Sequence, residues 1–394
     1  MRDGAPGTMA VKPLLLVEAL ATRNDSGLGN MARLYVDALR GLADAAEILV
    51  LLPKGGSYRP GPHCRVLEVD PRPLRPWTQT AFPLLLHKHH PAAVLCLGQH
   101  LPWFRPRARY ALAIADAGPL ENLGWATSSH DPYNRRWLKS NAPKADIILT
   151  ISAFTRARLQ ALLGIDGERI KIVLPIRPPS LGSSPPGNAL TAGVSGSVAT
   201  GESGIGLGQA PEGEYFLSMG NVEPRKNYPG LVAAYAALKS RRPDAPPLYI
   251  VGHKAWGISE AETAIALHGL AHSVFLTDYL TDADRSAYLR GCTAYVSSSL
   301  YEGWGLPLFE ALATGKPSAY HAGSSQDEFA RGLALSVDCA DAGALSRAME
   351  TLWWDDKERH RLMAAVATGF PIIRNHDVEG AMRAALLPLL RPPA

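Results

Sequence analysis

Short runs of uninterrupted apolar residues, each followed by a longer amphipathic stretch, recur from one end of the chain to the other. Such runs stand at 14–17, 48–51, 93–96, 111–114 and 147–149, with a further strand at 170–174 broken only by Lys171. A strand apolar at every position must be covered on both faces, so the pattern predicts parallel α/β sheets with helical crossovers, the first helix over about 30–42. From Arg177 to about Gly213 the texture changes to Pro, Gly and Ser, including Pro185-Pro186-Gly187. That stretch cannot bury enough apolar area to offset its ordering entropy and reads as a flexible linker. Its Gly204-Ile205-Gly206-Leu207-Gly208 is a weak nucleotide signal, because no strand precedes it and no helix clearly follows. Strands then return at 215–217, 248–251, 274–276, 294–296, 318–320 and 333–337, with helices at 227–240, 281–289, 306–314, 341–353, 356–367 and 377–390. The fold class is therefore α/β, with two Rossmann-like parallel-sheet domains over 12–176 and 214–375. A leader precedes them over 1–11, the linker occupies 177–213, and a terminal helix occupies 376–394. In tandem folds of this kind, ligands sit at the carboxyl ends of the strands, facing the cleft.

The 394 residues suffice for two domains or three without staples. A net charge of +4 is too small to imply a nucleic-acid partner. Cys64, Cys96, Cys292 and Cys339 lie far apart and read as small buried hydrophobes in a reducing compartment. No apolar run is long enough to cross a membrane and the first residues lack a secretory pattern, so a cytoplasmic protein is the expectation.

The most informative stretch is Tyr301-Glu302-Gly303-Trp304-Gly305-Leu306-Pro307-Leu308-Phe309-Glu310. A strand ends near Ser297, a loop carries Glu302 and two glycines, and a helix opens at about Leu306 with Pro307 where its missing N–H is harmless. Gly303 and Gly305 let backbone amides approach a ligand, and the helix N-terminus adds partial positive charge, which together suit a phosphate or diphosphate. Glu310, one turn into the helix, can accept hydrogen bonds from a ribose diol, while Glu302 faces whatever lies beyond the phosphate.

The segment resembles the E-x7-E element of retaining GT-B glycosyltransferases, most of all glycosyltransferase family four in its bacterial mannosyltransferase-like form. Met219-Gly220-Asn221-Val222-Glu223-Pro224-Arg225-Lys226-Asn227 resembles the loop carrying cations for the donor diphosphate. Asp278-Tyr279-Leu280-Thr281 resembles the loop whose backbone meets the nucleobase, and Ser324-Ser325 to Glu328 the stretch that follows. The resemblance implies a two-domain cleft in which Arg225 and Lys226 hold the diphosphate and Glu310 the ribose. The sugar would meet Glu302 and the backbone of Gly303, Trp304, Gly305 and Leu306. The family often has an Arg where this chain has Asn221, which leaves that task to Arg225. No DxD stands in a strand-end loop, so a metal-independent transfer without a cofactor is expected, the nucleotide-diphosphate sugar being a co-substrate. Asp25-Ser26-Gly27-Leu28-Gly29-Asn30 resembles the family's SGxG loop, with Gly29 near the donor and Gly27 and Asn30 near the acceptor. It also reads as a tight structural turn. The terminal helix would cross back onto the first domain.

One departure stands out. The family's His-Asp pair at a strand end is here Ala115-Asp116. Asp116 remains as a catalytic candidate beside Glu302; His130 reads either as a spatial substitute for the His or as a surface residue. Basic and aromatic residues interleave at 72–77, 103–109 and 133–139, which suits an anionic membrane surface and, equally, ordinary helix faces with snorkelling cations. The wording of the motifs gives a hexosyltransferase using GDP-mannose as the first expectation. Its acceptor would be a saccharide, lipid-linked, in polysaccharide or lipopolysaccharide assembly. UDP-glucose, UDP-galactose or UDP-N-acetylglucosamine are close alternatives. A different chemistry on the same fold, or a degenerate homologue that only binds sugar nucleotide, is the rival reading.

Overall fold

A computed structural model describes residues 11–24, 27–121, 131–176, 210–253, 258–278, 280–370 and 376–391. The first sheet contains β1 (Leu14–Glu18), β2 (Glu47–Pro53), β3 (Arg65–Val69), β4 (Ala93–Cys96), β5 (Arg109–Ala113), β6 (Ile147–Thr150) and β7 (Ile170–Ile172). Their order is β3-β2-β1-β4-β5-β6-β7, and neighbouring strands run parallel. The second sheet holds β8 (Phe216–Met219), β9 (Leu248–Val251), β10 (Val274–Leu276), β11 (Ala294–Val296), β12 (Ser318–His321) and β13 (Leu335–Val337). Its order is β10-β9-β8-β11-β12-β13, again all parallel.

The central strands β1, β4, β8, β9 and β11 are almost wholly buried, as uninterrupted apolar runs require. The edge strand β3 has no such signal: Arg65, Val66 and Glu68 are exposed, and the sequence gives no alternation from which to read it. In both sheets the strand order reverses beside the first strand, between β1 and β4 and between β8 and β11. Crevices open at the carboxyl ends of strands at such reversals.

Among the described residues, the two domains are tied together at two places. The Val378–Leu390 helix packs on the Gly27–Ala38 helix, on residues 39–42 and on β5. Arg383 there donates to the Gly41 carbonyl and pairs with Asp44, and Glu379 pairs with Arg40. The second junction is the cleft itself. The linker's 177–209 and the glycine run inside it lie outside the described residues. Of the four cysteines, Cys96, Cys292 and Cys339 are buried, while Cys64 is half-buried rather than a core residue.

Candidate active site

Two loops build the centre of the cleft, one after β8 and one after β11, the strands that flank the reversal in the second sheet. They are stitched to each other by bonds to main-chain carbonyls: Leu300 N–H donates to the Arg225 carbonyl, and the Ser298 hydroxyl to the Lys226 carbonyl. Gly220 adopts φ +142°, and a Cβ there would lie 2.8 Å from Cε and Nζ of Lys226. Only glycine leaves that ammonium its place. Lys226 and Glu302 are both buried, and Nζ donates to Oε1 of Glu302 at 2.5 Å. Arg225 bridges two carboxylates, Nη1 donating to Oε2 of Glu302 and Nε to Oε2 of Glu223, each at 2.8 Å. Burial alone raises a carboxyl's pKa, but Lys226 and Arg225 outweigh it and hold Glu302 at about 2. Burial pulls the Lys226 ammonium below its usual value despite that partner.

The Leu306–Ala313 helix begins directly after this loop. Its N-cap, Gly305, sits at φ +94°, and a Cβ there would strike the Gln326 side chain at 2.5 Å. Glycine carries no capping group, so no side chain of the N-cap occupies the first-turn amides, with Pro307 in that turn. The helix therefore offers partial positive charge within the same loop as the two cations. On its next turn Glu310 takes Nη2 of Arg285 at 2.5 Å through one oxygen. Burial raises the Glu310 carboxyl and Arg285 partly opposes this.

The first sheet contributes Asp116, just past β5. Its Oδ1 accepts the Gly118 N–H at 2.8 Å. Burial raises its pKa, Arg225 lowers it, and Glu302 and Glu223 raise it again, so this acid faces the cation cluster of the other domain. Contact across the cleft is direct. A Cβ on Gly303 would lie 2.5 Å from the Ala115 carbonyl oxygen and 3.1 Å from Cβ of Asp116.

The structure thus gathers Arg225, Lys226, Glu302, Gly303, Gly305, Leu306 and Asp116, with Glu310 one helical turn away. Trp304 is different: its side chain is buried on Phe309 and Phe329, so only its backbone faces the loop. Leu280 is partly buried against the core, and the neighbouring Tyr279 lies outside the described residues, as does His130. Gly29 is needed by the protein itself, since a Cβ there would overlap the Asn24 carbonyl oxygen. Asn30 accepts from the buried Arg33, which also holds the carbonyls of Thr22 and Asn24, whereas Gly27 has open space around its Cα. Arg285 was not signalled by any motif, whereas Glu223 and Ser325, whose hydroxyl donates to the Glu302 carbonyl at 2.7 Å, lie within the quoted segments but were given no role there.

Two doubly wound sheets facing each other across a charged cleft, with a terminal helix returning to the first, constitute the GT-B architecture. Residues 206–367, in the carboxyl-terminal domain, match the glycosyl transferases group 1 family. Among curated proteins, the chain is 26% identical over 227 residues to the O-antigen chain mannosyltransferase B of Escherichia coli, covering 58% of this chain and 56% of that protein. It is 35% identical over 106 residues to the serotype-specific mannosyltransferase WbdA of the same organism, 26% of this chain and 13% of that one. The chain thus spans about half the length of the first relative and far less of the second. Among solved structures, Anabaena Alr3699/HepE in complex with UDP and glucose superposes with a TM-score of 0.66 at 15% identity, covering 96% of this chain and 99% of the other.

Proposed function

We propose that the protein is a retaining, metal-independent glycosyltransferase that moves mannose from GDP-mannose to a saccharide acceptor, lipid-linked, in bacterial polysaccharide or lipopolysaccharide assembly. The observation that carries the reading is the clustering of Arg225, Lys226, Glu302 and the Leu306–Ala313 helix N-terminus at one strand reversal, with Asp116 opposite. As the bond from sugar to diphosphate breaks, negative charge grows on the leaving oxygens. Fixed cations aimed there stabilise the transition state by about 3–4 kcal/mol for each well-placed donor. Arg225 offers a bidentate fork and Lys226 a point charge, which is the reason for placing the charge stabilisation on side chains rather than on a metal. Glu302, displaced from both cations by the diphosphate, turns to the sugar, and Glu310 takes the ribose diol. The mannosyl donor is favoured by the names of the two Escherichia coli relatives and of a third, a mannosylfructose-phosphate synthase of Agrobacterium fabrum that is 30% identical over 115 residues.

For the acceptor side we propose peripheral association of the first domain with the inner face of the cytoplasmic membrane. Of the three basic–aromatic groups, Trp77 and Trp137 point into the core, whereas Trp103 and Phe104 are exposed at 68% and 72%. Arg135, Arg136 and Lys139 line a surface hollow, and among the described residues no helix is long and apolar enough to cross a membrane. Exposed aromatics near cations match an anionic headgroup layer. Incubation with GDP-mannose and a polyprenyl-linked saccharide, read by mass spectrometry for an added hexose and by NMR for its α configuration, tests the reaction. Transfer only from a UDP-sugar would replace the donor, and no turnover of any sugar nucleotide would leave the degenerate reading that Ala115 favours.

A further inference from the structure

The Ala153–Leu163 helix of the first domain is capped by a residue of the second. Its N-cap, Ser152, uses Oγ to accept the Thr155 N–H at 3.0 Å. The two N–H groups that remain at the start of the helix, on Ala153 and Phe154, go to Oε2 and Oε1 of Glu328 at 2.9 and 2.6 Å. Glu328 lies 174 and 175 residues away in sequence, in the short Asp327–Ala330 helix after β12. A carboxylate at a helix N-terminus also meets the positive end of the dipole, so these bonds are charge-assisted.

What the capped end touches gives the contact its meaning. The Phe154 ring meets Tyr301 edge to face with centroids 5.6 Å apart. Tyr301 immediately precedes Glu302, and Gly303 rests on the Ala115 carbonyl and on Cδ1 of Ile151. Residues 301–303 are therefore seated on the ends of β5 and β6 and on the start of the capped helix. Glu328 is exposed, so its bonds exchange with water at little cost when the domains part.

We propose that Glu328 is a closure latch and a positioning residue: it clamps the start of the Ala153–Leu163 helix to the donor domain and so seats the 301–303 loop against Ala115 and Asp116. The closure itself stands on geometry alone; the positioning role rests on the proposed glycosyl transfer. In the open form, Ala153 and Phe154 have only water for their N–H groups, and the Glu302 loop loses its backing.

Three measurements on the full chain test this. Small-angle scattering of Glu328→Ala should give a larger radius of gyration than the natural protein, and Glu328→Gln, which retains one acceptor oxygen, a value between the two. Hydrogen exchange at the amides of 153 and 154 should quicken at least tenfold in Glu328→Ala, while that of Thr155, capped within its own domain, changes far less. Raising salt to about 1 M, where the Debye length is about 3 Å, should open the natural protein and leave Glu328→Ala unchanged, without relying on any substitution's folding. GDP and UDP affinity should be equal in all three proteins, because Arg225, Lys226 and Glu310, proposed to hold the nucleotide, lie within one domain. Identical scattering and identical exchange in Glu328→Ala, with no salt response in the natural protein, would overturn the latch. Failure of both nucleotides to bind any of the proteins would contradict the proposed function alone, since scattering and exchange read closure without a substrate.

Discussion

Lys226 and Glu302, 76 residues apart in sequence, meet at 2.5 Å in the floor of the cleft, and Arg225 shares the same carboxylate at 2.8 Å. The cations that suit a diphosphate thus already hold a negative group of the protein's own. On the proposed function, a donor diphosphate would have to exchange with this carboxylate, releasing Glu302 toward the sugar.

Glu302→Gln should therefore separate binding from chemistry. Removing one buried partner of an ion pair costs about 3–5 kcal/mol, so the unliganded variant should melt well below the natural protein. A nucleoside diphosphate no longer competes with a carboxylate and should bind roughly tenfold tighter, about 1.4 kcal/mol. Thermal shift with GDP and UDP should show a larger rise in Tm for the variant, and sugar transfer should vanish. A smaller rise would contradict the exchange.

The same pair has a signature in pH. Glu302 titrates at about 2 in the fold, against 4.5 ordinarily. Its folded pKa is lowered, so its contribution is complete above 4.5 and disappears as pH falls toward 2, amounting to about 3 kcal/mol in all. Denaturant unfolding between pH 6 and 3, with Glu302→Gln as reference, should show a loss in the natural protein that the variant lacks.

Glu310 has the opposite sign. Burial raises its carboxyl above 4.5, Arg285 opposes this and Asp282 reinforces it. Protonation removes an acceptor for the ribose diol, so nucleotide affinity should fall as pH drops through a value above 4.5, before Glu302 takes up any proton. Calorimetric titrations with GDP and UDP across that range should show the fall, and Glu310→Gln should flatten it. Arg285→Leu should weaken binding and move the fall to higher pH.

Gly303→Ala tests the cleft contact. The added Cβ would meet the Ala115 carbonyl at 2.5 Å, so backbone must shift on one side. Nucleotide affinity should change less than threefold while transfer falls by about 100-fold, as misplacements of about 1 Å produce. Equal losses in both would place Gly303 in the nucleotide pocket instead.

Much of this was legible in the sequence because the informative signals are local. Uninterrupted apolar runs mark central strands, and the loop-helix junction at 301–310 carries its glycines, proline and acids within ten residues. Edge strand β3 lacks that signature, since a strand with Arg65 and Glu68 exposed carries no continuous apolar run. Arg285 was missed for another reason, and Glu328, though it ends the quoted 324–328 stretch, was given no role for the same one. Each acts through a partner 25 or more residues away, and a lone Arg on a helix or an acid after a strand looks like ordinary surface charge until the chain is folded. Trp77 and Trp137 differ the other way: aromatics within basic stretches suit a membrane contact as well as an ordinary helix face, and their rings fill cores.

Arg225, Lys226 and the start of the Leu306–Ala313 helix are proposed to form a pocket for pyrophosphoryl oxygens. Calorimetric titration of GDP, UDP and the corresponding nucleosides into the natural protein and Lys226→Met tests it most directly. One diphosphate should bind, its nucleoside should bind at least 100-fold more weakly, and Lys226→Met should lose at least tenfold for the diphosphate and little for the nucleoside. Equal affinity for nucleoside and diphosphate, or a Lys226→Met variant that binds the diphosphate undiminished, would contradict it.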